Sequence, residues 1–318
     1  MIRKNFIIEM TKNPKIISII VTYNAVPWLD KCFGSLTNTS QKNHTIIAID
    51  NASSDHTVDA LKERFPEVIL IESKQNLGFG KANNIGLKKA LEADADFVFL
   101  LNQDAWIEHD TLEKIIDISL KNPKYGIVSP IHLNNKNSID SEFLKYCYLN
   151  LKSDFTFDSL LSKPLKDIYE TSFINAAAWL LTKECLRTNG GFMPIFPHYG
   201  EDGNYCERVI HSGLKIGFTP GITIVHDREV KKRRLSFKKK FNHLYVYLLG
   251  IFASGKKQGL NNYWRYCLKK LLQALKIFYK QPVILLLIPI ALFVLLIKSK
   301  QIYLQRKEAR KHEPNFLY

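Results

Sequence analysis

FVFLLNQD, residues 97–104, decides the fold. Five consecutive apolar residues, the length of one strand, run straight into two amides and a carboxylate. An unbroken apolar run, as opposed to an alternating one, belongs to a strand covered on both faces, as in parallel sheets flanked by helices. The same pattern recurs upstream in Ile16–Val21, Thr45–Ile49 and Val68–Ile71. Helix-period segments separate these runs, near Trp28–Leu36, Thr57–Phe65 and Ala82–Ala93. Asp55 is placed to cap the second of them, with Ser53 and Ser54 in the turn before it. Strands alternating with helices predict βαβ units and an α/β sheet.

Downstream, a helix is expected over Thr111–Leu120 and a strand around Ile127–Val128. Residues 131–170 are polar and irregular and read as a variable insertion. Order returns at Phe173–Leu181, followed by a helix around Lys183–Arg187 ending at Gly190–Gly191. A helix beginning near Asp202 and a last strand, Ile222–Val225, finishing at His226, complete a body over residues 1–227.

Open α/β sheets bind ligands at the carboxyl ends of their strands. Four strands in succession end there in polar or small residues: Thr22-Tyr23-Asn24, Asp50-Asn51-Ala52-Ser53-Ser54-Asp55, Asn76-Leu77-Gly78-Phe79-Gly80-Lys81-Ala82-Asn83 and Asn102-Gln103-Asp104. Asp50 reads either as a turn residue or as an acceptor for the imide N–H of a uracil or thymine ring. The glycine segment fails both the dinucleotide and the P-loop patterns, yet amides opening the helix after Gly78, with Lys81 beside them, favour a diphosphate. Asp104 offers a carboxylate to Mg²⁺ or Mn²⁺, hard ions that also engage phosphates; Asn102 is a weaker ligand. Asp202, within Gly200-Glu201-Asp202 at a helix start, is a candidate general base, which the helix dipole would keep ionised. His226 is a candidate to complete the metal's shell. Trp179 and Tyr199 are candidates to stack on a sugar, with core packing the alternative for Trp179; Glu201 is grouped with them on the acceptor side.

Seven segments in this order, VTYN (21–24), DNASSD (50–55), NLGFGKANNIG (76–86), LNQDAW (101–106), GGF (190–192), YGED (199–202) and IVHD (224–227), resemble glycosyltransferase family 2, closest to its rhamnosyltransferase-like subgroup. The resemblance covers roughly residues 14–227. It implies a GT-A fold, a mostly parallel Rossmann-like nucleotide-binding sheet continued by an acceptor-binding half. It implies inverting, metal-dependent transfer from a nucleotide-sugar, dTDP-rhamnose or a UDP-sugar, to a lipid-linked or cell-surface glycan acceptor. In that pattern Thr22, Asn24 and Asp50 contact the nucleoside, and Asn76 and Lys81 line the donor side. Asp104 takes the last position of the acidic metal motif, Asp202 is the base, and His226 assists the metal or diphosphate. Asn102 departs from the acidic pattern and leaves one carboxylate where two can stand.

The 318 residues carry a net charge of +15, distributed unevenly. Residues 1–227 hold 24 Lys and Arg against 27 Asp and Glu, whereas residues 228–318 hold 21 against 3. A mildly acidic body thus carries a basic tail that suits a polyanion, meaning an anionic lipid surface or nucleic acid. Within the tail, KKRR (231–234) and KKK (238–240) precede aromatics, and residues 261–280 mix apolar and basic residues as an interfacial helix does. Val283–Ile297 is uncharged but short of the roughly 20 residues of a spanning helix. Lysines at both of its ends favour an in-plane or re-entrant anchor on the cytoplasmic side of the membrane. That apolar run argues against nucleic acid as the partner. Five separated cysteines without a C-x-x-C pair suggest neither zinc nor a disulfide framework. The first fifteen residues are too short in apolar run and too charged for a signal peptide. A catalytically degenerate scaffold of envelope glycan assembly and a nucleic-acid-binding protein are the alternatives.

Overall fold

A computed structural model of the chain describes residues 13–152, 154–228, 236–254, 265–272, 282–311 and 316–317. The expected basic run 231–234, the segment 273–280 and the first twelve residues lie outside them.

The amino-terminal part alternates strands and helices as its apolar runs require: β1 (Ile16–Thr22), α1 (Leu29–Thr37), β2 (His44–Asp50), α2 (Thr57–Arg64), β3 (Ile69–Glu72), α3 (Phe79–Glu92) and β4 (Phe97–Leu101). The middle contains β5 (Ala105–Ile107), α4 (Thr111–Lys121), β6 (Tyr125–Leu133), α5 (Ser141–Asn150), α6 (Phe155–Leu160), β7 (Tyr169–Thr171) and β8 (Ala178–Thr182). Then come α7 (Lys183–Asn189), α8 (Glu201–His211), β9 (Lys215–His226), α9 (Phe237–Ala253), a helical stretch α10 (265–272), α11 (Pro282–Ile297) and α12 (Ser299–Glu308).

Among the described residues the nine strands form one sheet in the order β3-β2-β1-β4-β8-β6-β9-β5, with β7 also paired to β9. The first four strands are mutually parallel, as their unbroken apolar runs predict. Beyond them the expectation of a mostly parallel sheet is corrected: β8 runs antiparallel to β4 and β6, and β5 and β7 run antiparallel to β9. The sheet is therefore mixed, a GT-A-like α/β architecture.

Side chains alternate across β1. Ile16 and Ile20 enter one apolar layer with Phe33, Phe99 and Ile115, while Ile17 and Ile19 enter the opposite layer with Ile49, Leu87 and Trp179. Helix α3 lies close against the sheet because Gly86 has no side chain; a Cβ there would meet Ile19 Cγ2 at 2.6 Å. A third layer joins Met193, Ile195 and Phe196 to α9, α11 and α12.

Two departures from the sequence reading shape the site. The expected strand Ile222–Val225 is the end of a twelve-residue strand whose register against β6 shifts between Pro130 and Ile131, opposite Thr219 and Thr223. Pro220 and Gly221 occupy the extra length, as at a bulge that bends a strand. The far half of β9 thus reaches β5, where Ala105 pairs with His226. The supposed irregular insertion holds the end of β6, two helices and the start of β7; in α5, Phe143 and Cys147 face inward one turn apart.

Candidate active site

The carboxyl ends of β1, β2 and β4 open onto a cleft of about 680 Å³ lined by Val21, Tyr23, Asn51, Asn76, Leu77, Gly78, Phe79, Lys81, Asn102, Gln103, Asp104, Pro197 and His198. Five of the expected donor-side residues, Asn76, Gly78, Lys81, Asn102 and Asp104, are in its wall. Thr22, Asn24 and Asp50 are not. Thr22 and Asp50 are register partners on adjacent parallel strands and share a face turned beneath the floor. There the Thr22 hydroxyl donates to Asp50 Oδ1 at 3.1 Å and the Ser53 amide to Asp50 Oδ2 at 2.9 Å. Ser53 Oγ donates to Asp50 and accepts from the Asn24 amide, while Asn24 Oδ1 accepts from the Ser54 amide. The three form a brace that ties the loop after β1 to the loop after β2. One residue away in each strand, Val21, Tyr23 and Asn51 face the cleft. Strand alternation separates the two sets.

The wall is held by paired amides. Gln103 accepts from the Tyr23 amide at 2.7 Å and donates to the Tyr23 carbonyl at 3.1 Å. Asn51 donates to Asn76 Oδ1 at 3.1 Å and accepts from the Leu77 amide at 2.7 Å; Asn76 Oδ1 also takes the Gly78 amide. Gly78 has φ +79°, and a Cβ there would lie 2.5 Å from the Pro197 carbonyl oxygen. Glycine here allows both the left-handed backbone and the contact with the opposite wall. Asn24, Ala52 and Tyr199 also have positive φ, so strained backbone gathers around the cleft, as it does at functional sites.

Behind Asp104 and Asn102, His226 Nε2 lies 3.3 Å from Asp104 Oδ1, and the Asn102 amide nitrogen is 3.5 Å from the same ring nitrogen. Their meeting follows from the β5–β9 pairing, which sets His226 opposite the residue after Asp104. His226 is buried and its Nδ1 has no hydrogen-bond partner among the described residues. The neighbouring ring, His132, is perpendicular at 6.0 Å and equally buried. Ser129 Oγ gives its proton to the Pro130 carbonyl, so His132 Nε2 donates to Ser129 and its Nδ1 carries a lone pair. Burial holds His132 well below the ordinary histidine range, hence neutral. Asp104, a partly exposed carboxylate in the cleft wall, and the buried His226 imidazole against it are the groups whose chemistry would suit a divalent ion here. Among the described residues no group of three or more His, Cys, Asp or Glu side chains could hold a metal ion.

Asp202 stands at the second position of α8, partly exposed, and is outside the set of side chains that line the cleft. The amides of Gly203 and Ala176 face its carboxylate, and the Ala177 carbonyl accepts from the Asn102 amide at 2.9 Å. Residues 176–177 thus separate Asp202 from the Asn102–Asp104 loop by the width of one strand of chain. Burial outweighs the amides and raises Asp202 above its ordinary value. Two residues missed by sequence reasoning, Tyr146 on α5 and Arg228 after β9, interact electrostatically with Asp202.

Glu201 is buried, its Oε2 has no partner among the described residues, and burial followed by the Asp202 charge pushes it up to about 7. Tyr199 is exposed and packs on cleft-lining His198 with ring centroids 3.9 Å apart. Trp179 is the clear correction. It is fully buried on β8, stacked on Phe192 and tilted against Tyr205 in the core.

The mixed sheet with a cleft at its strand ends defines a GT-A-like α/β fold, and comparison narrows it. Residues 18–171 match the family described as Glycosyl transferase family 2. The chain is 25% identical over 223 residues to the dTDP-rhamnosyl transferase RfbF of Shigella flexneri, covering 69% of this chain and 72% of that protein. It is 28% identical over 121 residues to an N-acetylglucosaminyl-diphospho-decaprenol L-rhamnosyltransferase of Mycobacterium tuberculosis, a match spanning 36% of this chain and only 39% of that relative. In fold it is similar to the mannosyltransferase PcManGT of Pyrobaculum calidifontis, solved with GDP-Man and Mn²⁺ (TM-score 0.57, 19% identity, 94% of this chain and 86% of that one). It is also similar to S. aureus TarS 1-349 solved with UDP (TM-score 0.55, 14% identity, 82% and 72%). Over residues 18–171 the chain matches glycosyl transferase family 2, and it is similar to rhamnosyltransferases.

Proposed function

We propose that this glycosyltransferase moves a sugar from a nucleoside diphosphate, with inversion, onto a lipid-linked or cell-surface glycan acceptor at the cytoplasmic face of the membrane. The observation that carries the reading is Asp104 in the wall of a cleft of strand-end amides, with buried His226 in contact behind it. A dTDP-linked deoxysugar, rhamnose first, is the preferred donor, supported by the name of the Shigella relative; UDP-sugars are the alternative. A diphospho-decaprenol acceptor in the Mycobacterium relative's name supports a lipid-linked acceptor.

In this reading Tyr23 and Asn51 face the nucleoside, braced from beneath by Thr22, Asn24 and Asp50. The diphosphate lies at the first turn of α3, whose free amides and positive dipole end favour an anion, with Lys81 alongside. Asp104 and His226 would hold Mg²⁺ or Mn²⁺, which supplies Lewis-acid stabilisation of charge on the diphosphate. Asp202 takes the proton from the acceptor hydroxyl as its oxygen bonds to the anomeric carbon and the bond to the diphosphate oxygen breaks. A carboxylate raised toward neutrality is a better base than an ordinary aspartate, provided the pH keeps it ionised. Holding both substrates in line supplies further acceleration. The basic region 228–318 is proposed to attach the enzyme to the membrane.

The test is a panel of nucleotide-sugars scored by thermal stabilisation with and without Mn²⁺. Stabilisation by a dTDP- or UDP-sugar, strengthened by Mn²⁺, supports the reading. No stabilisation by any member refutes it.

A further inference from the structure

Helix α11 has two unlike faces. Leu287, Ala291 and Leu295 recur at helical spacing and are buried in the layer shared with α9 and α12. On the other side Leu286, Ile290, Phe293 and Ile297 form a continuous row, each between 52% and 76% exposed. Four large apolar side chains in one exposed row exceed the scattered apolar exposure of an ordinary surface. The surroundings are basic. Lys298 and Lys300 follow the row, Lys238 and Lys239 are exposed at the start of α9, and α10 sets exposed Leu268 and Leu272 beside Arg265 and Lys269. An exposed apolar row within a region of net charge +18 is complementary to the interface of an anionic phospholipid bilayer.

We propose that α11 lies flat in such an interface through Leu286, Ile290, Phe293 and Ile297 while its opposite face stays on the protein. Its sixteen residues extend about 24 Å, short of a hydrocarbon core of about 30 Å. The chain bends by 66° into α12, and no single described helix is long and apolar enough to cross a membrane. One side of α11 is occupied by α9, so only the other is available to lipid.

This contact bears on the active site through residues 193–200. Met193, Ile195 and Phe196 pack in the same layer as α11, and the Ile195 amide donates to Gln305 of α12 at 2.9 Å. A Cβ on Gly200 would lie 2.6 Å from Val246 of α9. Between these anchors Pro197 and His198 line the cleft, and Glu201-Asp202 follow directly. The wall of the cleft and the lipid-facing helices are therefore one packed unit. An acceptor that reaches this cleft from the bilayer surface is amphiphilic, its sugar or phosphate end projecting from the headgroup layer. The inference rests on the proposed membrane attachment.

The test floats the full chain with phosphatidylcholine vesicles containing about a third phosphatidylglycerol, and with phosphatidylcholine alone. Wild type is expected to partition to the anionic vesicles and far less to the neutral ones. Leu286→Glu with Phe293→Glu is expected to lower that partitioning on the order of a hundredfold, because two apolar anchors are lost and two like charges gained. Unchanged partitioning of the double variant, or equal binding to neutral vesicles, overturns the proposal. So does a concentration-dependent dimer of the wild type that the same variant abolishes without changing flotation. Because the described cysteines are all buried, a dye on Ile290→Cys reports depth selectively. Quenching by bromines near the headgroups supports the flat arrangement, and strongest quenching by chain-end bromines overturns it. An unchanged melting temperature shows that the variant folds. Nucleotide-sugar binding on the same vesicle-free preparation separates the two readings: its failure sinks the enzymatic proposal and leaves the lipid contact standing.

Discussion

Replacing Glu201 with glutamine isolates the cost of one buried carboxylate beside the proposed base. Glu201 is 4% exposed, its Oε2 has no hydrogen-bond partner among the described residues, and it titrates at about 7 in place of 4.5. In the unfolded chain the group sheds its proton near its ordinary value, and in the folded chain only near 7. Between those two values the unfolded state binds fewer protons, so stability falls as pH rises and levels off above 7. At about 1.4 kcal/mol per unit, the loss amounts to about 3 kcal/mol at pH 8. Glutamine keeps the shape and does not titrate. Glu201→Gln is therefore expected to melt roughly 6 °C above wild type at pH 8, taking about 2 °C per kcal/mol for a chain of this size. The difference should shrink steadily as the pH is lowered toward 4.5. Scanning calorimetry of both proteins across that range is the assay. A difference independent of pH, or no gain at pH 8, refutes the reasoning.

Asp104→Ala and His226→Ala should each abolish the extra thermal stabilisation that Mn²⁺ gives with nucleotide-sugar, checked by melting curves with and without EDTA. Gly78→Ala places a Cβ against the Pro197 carbonyl in a backbone region alanine avoids, so donor affinity measured calorimetrically should fall at least tenfold. Arg208 is buried and donates to the carbonyls of Asn189 and Gly191. Arg208→Met leaves both acceptors unpaired, and denaturant unfolding should show a loss of about 2–4 kcal/mol.

The parallel half of the sheet was legible because its strands are unbroken apolar runs and its helices carry their own period. β5 was not, since three residues, Ala105-Trp106-Ile107, are too few for any pattern to emerge. The first half of β9 was hidden by Pro220-Gly221, which reads as a turn and acts as a bend within one strand. That same bend delivers His226 to Asp104, so the two residues were nameable from sequence while the reason for their closeness was not. Thr22 and Asp50 were found as a neighbourhood, while the face they present was not legible, because short motifs identify strand ends without fixing a face. Tyr146 and Arg228 come to Asp202 from an apparently irregular insertion and from the chain beyond the last motif, where only tertiary structure puts them together.

The central claim is that Asp202 removes the acceptor proton while the Asp104–His226 cleft holds the donor. Asp202→Asn, assayed for sugar transfer and for donor binding on one preparation, tests it most directly. The account predicts turnover reduced on the order of 10²–10⁴-fold with donor affinity essentially unchanged. Undiminished turnover, or donor binding lost together with it, would contradict the account.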